Sequence, residues 1–336
     1  MDESVILYRP LQQDKIIFFV DYSFAQYKYD MQSSTIKNIL FITSTRLGDA
    51  VISTGILNHL IQTYPNAEFT IACGSVAAGI FDRMPRRKTT LIMEKQNYDL
   101  HWLILWKQCI LHPWDLIVDL RGSAISYVLR AKKRVVLRGG RIKERRIEYL
   151  AKAFQLQPTP FPVAWVWEED QQIAKQYLPD DFYIALAPTA NWVGKVWDIN
   201  RFIALAQKIQ TLFPQCKFAV FYGAGQQEYA MAKPLLEADL PIINVGGDFK
   251  LCQVAAMFQR CKGFVGNDSG LMHLAAACQI PVLGLFGPSQ VTEYAPAGLY
   301  AQAVVANGDE GKASMDNLSV DKVLEAFKRL YQKNEK

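Results

Sequence analysis

The sequence predicts an α/β protein made of two successive domains, each with a parallel sheet. Three observations carry this. From Asn38 onward, short apolar runs alternate with segments of helical period, the rhythm of strand–helix–strand units. The proline-rich passage Pro158-Thr-Pro-Phe-Pro162 interrupts the alternation, which restarts at Tyr183. In the second half, an apolar strand (Phe264, Val265) runs into Asn267-Asp268-Ser269-Gly270 and then a helix. Short polar residues and a glycine at a helix N-terminus leave backbone N–H groups free to meet an anion.

Residues 1–35 stand outside this pattern. They hold two strand-like runs, Val5–Tyr8 and Ile16–Val20, and a tyrosine-rich stretch, read as an N-terminal extension of undecided structure. A first Rossmann-like domain is expected over 36–160, with strands at Ile39–Thr43, Phe69–Cys73, Thr90–Met93, Leu116–Asp119 and Arg134–Leu137 and a clear helix over Asp49–Thr63. A second domain follows over 161–336. Its expected strands are Tyr183–Ala187, Phe218–Tyr222, Ile242–Asn244, Gly263–Val265 and Val282–Phe286. The helix after Gly270 is expected to place Leu271, Leu274, Ala275 and Cys278 on one stripe, and a last helix runs from about Val320 to Gln332.

Composition narrows the function classes. Half of the 336 residues are hydrophobic and 21% are charged, a globular profile. No run reaches the roughly 18 apolar residues of a membrane span. The N-terminus lacks the pattern of a signal peptide, and six cysteines without a Cys-x-x-Cys pair suit reduced core thiols in a cytoplasmic protein. Residues 1–165 hold 22 Lys/Arg against 14 Asp/Glu, and 166–336 hold 15 against 18. The surplus concentrates in Arg130–Arg146, with a second cluster at Arg83, Arg86, Arg87 and Lys88. This favours an anionic partner for the first domain. No nucleic-acid motif accompanies the charge, so an anionic glycolipid at a membrane surface is the better fit.

Residue by residue, the bland readings are strong. Asp268 or Ser269 can simply cap a helix, and Asp49 can simply offset a helix dipole. Lys195 can be a surface lysine, and Glu228 a solvated acid in a first helical turn. The glycine turn Gly223-Ala-Gly225 lacks the third glycine of a dinucleotide fingerprint, since Glu228 stands there.

The longer strings change the balance. Asp268-Ser-Gly-x-x-His273-x-Ala-Ala-Ala before a strand and Phe286-Gly-Pro288 resembles the nucleotide-sugar motif of the ADP-heptose:lipopolysaccharide heptosyltransferases, glycosyltransferase family 9. Arg46-Leu-Gly-Asp49 after the first strand, Lys195-x-Trp197 after Tyr183–Ala187, and the Gly223 turn with Glu228 are similar to that family's other landmarks, in the same order. The resemblance spans about residues 38–334.

It implies the GT-B architecture, two Rossmann-like domains with parallel sheets facing across a cleft. It also implies an inverting, metal-independent glycosyltransferase, with Asp49 as general base. The donor, a nucleotide sugar expected to be ADP-heptose, would be held by Thr189, Lys195, Glu228, Asp268, Ser269, Gly270 and His273. The acceptor would be a lipopolysaccharide core or lipid-linked glycan, met by Arg121, Arg141 and Arg145. No cofactor is expected: the sequence has no Asp-x-Asp and only four histidines. The place of action would be the cytoplasm, peripheral on the inner face of the inner membrane. Two alternatives stay open: a relative using another nucleotide sugar and acceptor, and a non-catalytic glycan- or nucleotide-binding protein on the same scaffold.

Overall fold

The computed structural model describes residues 36–137, 142–179 and 182–334. The expected N-terminal extension, 1–35, lies outside them. The chain divides into two compact units. One takes 36–137 with Leu150–Pro160; the other takes Ile142–Tyr149 with the described residues from Phe161 onward. The chain passes for good into the second unit between Pro160 and Phe161, inside the proline-rich passage.

The first unit is a five-stranded parallel sheet: β1 (Asn38–Ile42), β2 (Glu68–Cys73), β3 (Arg87–Ile92), β4 (Trp114–Asp119) and β5 (Ala131–Val136), in the order β3-β2-β1-β4-β5. β4 is buried along its whole length and β1 almost so. That is why Ile39–Ile42 and Leu116–Val118 within them read as continuous apolar runs rather than alternating ones. The edge strands β3 and β5 face water and carry Lys88, Lys132, Lys133 and Arg134, charges that keep an open edge from pairing with another chain. Leu40, Ile42, Leu105, Trp114, Ile117 and Leu129 pack into one core cluster.

The second unit is a six-stranded parallel sheet of β6 (Tyr183–Ala187), β7 (Lys217–Val220), β8 (Ile242–Asn244), β9 (Cys261–Asn267), β10 (Val282–Phe286) and β11 (Ala301–Val305). The order is β11-β10-β9-β6-β7-β8. β11, Ala-Gln-Ala-Val-Val, escaped the sequence reading because it has little of the β-branched and aromatic content that marks a strand. The helix Gly270–Ala277 departs from its expected single stripe: Met272 through Ala277 are all buried, so it is enclosed on every side. All six cysteines are buried and none is in a disulfide. Burial pushes the thiols of Cys73, Cys109 and Cys216 up to about 12, so they stay protonated and inert.

Each sheet has one point where the strand order reverses. In the first, the chain builds outward from β1 to β3 and then returns to the other flank of β1 as β4. In the second, it builds from β6 to β8 and returns beside β6 as β9. The loops that leave the carboxyl ends of two such neighbours part in opposite directions and open a crevice, where open α/β sheets bind ligands. The expected catalytic and donor motifs all fall on these loops or beside them.

Candidate active site

In the second unit, the reversal brings together Lys195, from the loop after β6, and Asp268, from the loop after β9. Lys195 Nζ donates to Asp268 Oδ2 at 2.6 Å, and Asp268 is almost wholly buried. Asn267 ties the two loops. Its Oδ1 accepts from the Trp197 backbone N–H at 3.1 Å, and its Nδ2 donates to the Pro188 carbonyl at 2.8 Å. Trp197 is fully buried, edge-on to Phe202, and its indole N–H donates to the Leu318 carbonyl at 2.8 Å. The tryptophan of Lys-x-Trp is therefore an anchor that fixes where the lysine stands. Asn267 carries out the matching task on the other strand, which the sequence reading did not assign.

The helix Gly270–Ala277 begins in this crevice. Ser269 occupies its N-cap position, yet its side chain makes no capping bond; Ser269 Oγ is buried with no partner. Asp268 does not cap either, being committed to Lys195. The capping reading of this turn fails for both residues. Gly270 opens the helix, and His273, also buried, donates its backbone N–H to Ser269 O at 3.4 Å. Thr189 is buried in the β6 loop. The neighbouring loop after β7 turns through Gly225, at φ 107°, a conformation that needs glycine. There Glu228 Oε2 accepts the Gly223 N–H at 3.1 Å, so the carboxylate closes its own turn. Among the described residues, no three His, Cys, Asp or Glu side chains gather as a metal-ligand group.

In the first unit, Asp49 sits in the first turn of the helix Leu47–Thr63, after β1. Its Oδ2 accepts a long bond from Ser44 Oγ, 3.4 Å, while Oδ1 is buried without a partner. Across the reversal, Asp119 ends β4 fully buried. It accepts the N–H groups of Arg121, Gly122 and Ser123 and the hydroxyls of Ser123 and Ser126, at 2.5–3.1 Å. This carboxylate sets the conformation of the loop that carries Arg121. The Arg121 guanidinium lies 5.1 Å over the Trp102 ring, with Nη1 buried and unpartnered. Burial holds its pKa below the ordinary arginine value, and Asp119, Asp49 and Asp99 oppose that shift.

The other basic candidates have different surroundings. Arg141 lies outside the described residues. Arg145 belongs by contact to the second unit, not to the first domain where the sequence placed it, and it donates to the Pro296 carbonyl at 3.1 Å. Arg146 is paired with the buried Glu293 and reaches the Tyr294 hydroxyl. Arg134 is bound to the carbonyls of Ser126, Leu129 and Ala131, and Arg86 to those of Pro65 and Ile61. Arg134, Arg145 and Arg146 of the basic run are thus engaged by the protein's own acceptors.

Two parallel sheets, each with polar residues on the loops at its reversal, define a doubly wound α/β protein. The comparisons narrow this. The sequence profile of glycosyltransferase family 9 (heptosyltransferase) matches residues 120–323, and the chain belongs to that family. It is 24% identical to lipopolysaccharide heptosyltransferase 2 of Escherichia coli K12, over 88% of this chain and 99% of that protein. It is 25% identical to lipooligosaccharide heptosyltransferase 2 of Campylobacter jejuni, over 75% and 82%. Among solved structures, the E. coli ADP-heptose lps heptosyltransferase II superposes with a TM-score of 0.71 at 22% identity, covering 89% of this chain and 100% of that one. A family 9 glycosyl transferase from Veillonella parvula gives 0.72 at 19%, covering 88% and 97%. The structural likeness establishes the fold, two Rossmann-like units of the GT-B class.

Proposed function

We propose that this chain transfers a heptose from ADP-heptose to an anionic lipopolysaccharide core acceptor, with inversion at the anomeric carbon. The observation that carries the reading is the turn at Asp268-Ser269-Gly270. A helix start whose N-cap hydroxyl is buried and unused, beside a lysine held at 2.6 Å by an aspartate, is a built receptor for a diphosphate. The donor's phosphates would take Ser269 Oγ and the free N–H groups of the helix, and bring a second anion to Lys195.

In the reaction, the acceptor oxygen forms a bond to the anomeric carbon as the bond from that carbon to the diphosphate oxygen breaks. The acceptor's proton passes to Asp49, whose Oδ1 has no competing donor. The diphosphate leaves as an anion. Lys195 and the helix dipole stabilise the charge that grows on it, a preorganised electrostatic contribution. Thr189, Gly270 and His273 line the donor side, and Arg121 is assigned to the acceptor's negative groups. Glu228 keeps a place near the ribose only through its turn, since Gly223 already occupies one of its oxygens.

The test is a panel of ADP, UDP, GDP and CMP sugars with a heptose-deficient core acceptor, reading nucleotide release and the anomeric configuration of the product. ADP release that depends on acceptor, with inverted product, is expected. Turnover only with another nucleotide sugar, or a retained configuration, sinks this reading.

A further inference from the structure

The helix Leu100–Cys109 of the first unit is apolar on two opposite sides. His101, Leu105 and Cys109 are buried in the unit. On the outer side, Leu100, Leu103 and Ile104 are each between 42% and 48% exposed, and Leu111 just past the helix is 88% exposed. The spacing i, i+3, i+4 puts the first three on one stripe, exposed Lys107 continues it at i+7, and Leu111 follows in the turn after the helix. Ahead of the helix, Tyr98 is 96% exposed; it and Asp99 both have left-handed backbone, φ 56° and 55°, which costs free energy in residues other than glycine. Half-buried Trp102 and Trp106 flank the stripe. A helix of an ordinary globular unit buries one side and shows water a polar one. This one does not.

We infer that this stripe, with Tyr98 at its head, is the surface by which the protein rests on an anionic lipid bilayer, the helix lying in the interfacial plane. Aliphatic side chains flanked by tyrosine and tryptophan suit the boundary between headgroups and acyl chains. Lys107 can bury its stem there and hold its ammonium at the phosphates. A second copy of the chain is the poorer occupant. Residues 36–141 and 150–160, the stretches of the first unit, carry 16 Lys/Arg against 7 Asp/Glu, a balance of +9 that repels its own image and is drawn to acidic headgroups. No described helix is long and apolar enough to cross a membrane, so the contact would be peripheral. The same helix carries Trp102 beneath the Arg121 guanidinium, which places the acceptor-side candidate next to the lipid contact. The inference stands whichever sugar the donor carries.

Cosedimentation of the full chain with vesicles of phosphatidylethanolamine and phosphatidylglycerol, against vesicles of phosphatidylcholine alone, tests it. Wild type is expected to bind the first and not the second. Leu103→Glu with Ile104→Glu should lower binding by roughly tenfold or more, and Lys107→Gln by about fivefold, with unchanged melting temperatures. Emission of a Tyr98→Trp variant should shift to the blue on the acidic vesicles and be quenched by brominated lipid. No vesicle binding by wild type, equal binding by the double variant, or unmoved Tyr98→Trp emission overturns the inference. So does a wild-type dimer that the double variant splits, which would make the stripe a protein–protein surface.

Discussion

The two strand-order reversals are built alike and left in opposite states. At the second, a cation and an anion already satisfy each other: Lys195 and Asp268 stand 2.6 Å apart. At the first, the charged groups remain open: Asp49 Oδ1 and Arg121 Nη1 are both buried and neither has a partner. The difference fits the two tasks proposed for them. A pair that is neutral until a ligand arrives lets a diphosphate bind without leaving a bare lysine in the empty protein. A carboxylate with an unclaimed oxygen is free to take a proton from a hydroxyl. Each reversal also rests on one buried polar residue that shapes its loop, Asp119 in the first and Asn267 in the second.

The largest effect should come from removing the open acid. Asp49→Asn keeps the shape and loses the base, so turnover should fall by roughly 10²–10⁴-fold. ADP affinity, measured by calorimetry, should stay within about twofold, because the nucleotide is assigned to the second unit. Wild-type turnover in this variant would remove Asp49 from the mechanism. A parallel loss of ADP binding would mean that the two reversals do not divide the work.

Next is the support beneath the first site. Asp119→Ala removes the acceptor of three backbone N–H groups and two hydroxyls. The three donors on buried Ser123 and Ser126 cost about 1–3 kcal/mol each when left unsatisfied, whereas the N–H groups of Arg121 and exposed Gly122 can turn to water. Relaxation and water will recover part of this, so a net loss of about 3 kcal/mol or more is expected in urea unfolding. A loss below about 1 kcal/mol would show that the Arg121 loop holds its form without this carboxylate.

Lys195→Ala should weaken ADP binding by about ten- to a hundredfold, the scale of one charge-assisted hydrogen bond at 1.5–3 kcal/mol. It should also strand Asp268, which is 6% exposed in its side chain, as a buried charge without its cation. Lys195→Ala with Asp268→Asn should therefore be more stable than Lys195→Ala alone, while ADP affinity stays low. If Asp268→Asn instead restored ADP binding, the lysine would matter only as that acid's counter-charge.

Much of this architecture is legible in the residues, for physical reasons that also explain the failures. Tyr183–Ala187 and Val282–Phe286 match the observed strands residue for residue, since interior strands are short apolar runs bounded by turn formers, and the short edge strand Ile242–Asn244 matches as well. The edge strand Ala131–Val136 begins three residues before the expected Arg134 because its first half holds Lys132 and Lys133, which speak of solvent and not of pairing. The turn at Asp268 and the loop at Lys195 are visible as motifs, but their meeting across 73 residues follows from strand order, which no local pattern contains. The basic run shows a related limit. Charge is readable in sequence, whereas its consumption by Glu293, Tyr294 and Pro296 is not. Reversing Arg146 to Glu would set two acids side by side, so it would report on stability before it reported on any acceptor. The outer stripe of Leu100–Cys109 could have been found from sequence, since a helix apolar on both sides in a basic domain is itself a signal.

The smallest effect sharpens the comparison most. Ser269→Ala removes one hydroxyl that bonds to nothing in the ligand-free protein, so stability should be unchanged within about 0.5 kcal/mol. ADP affinity should fall by about three- to tenfold, one hydrogen bond's worth. If Lys195 and Ser269 hold the same diphosphate, the double variant should lose less than the two single losses combined, because the ligand settles differently once either contact is gone. Additive losses would place the two residues on separate parts of the nucleotide. Unchanged ADP affinity in all three proteins would leave the closed pair as a strut between β6 and β9, and the contrast between the two reversals would then be one of packing alone.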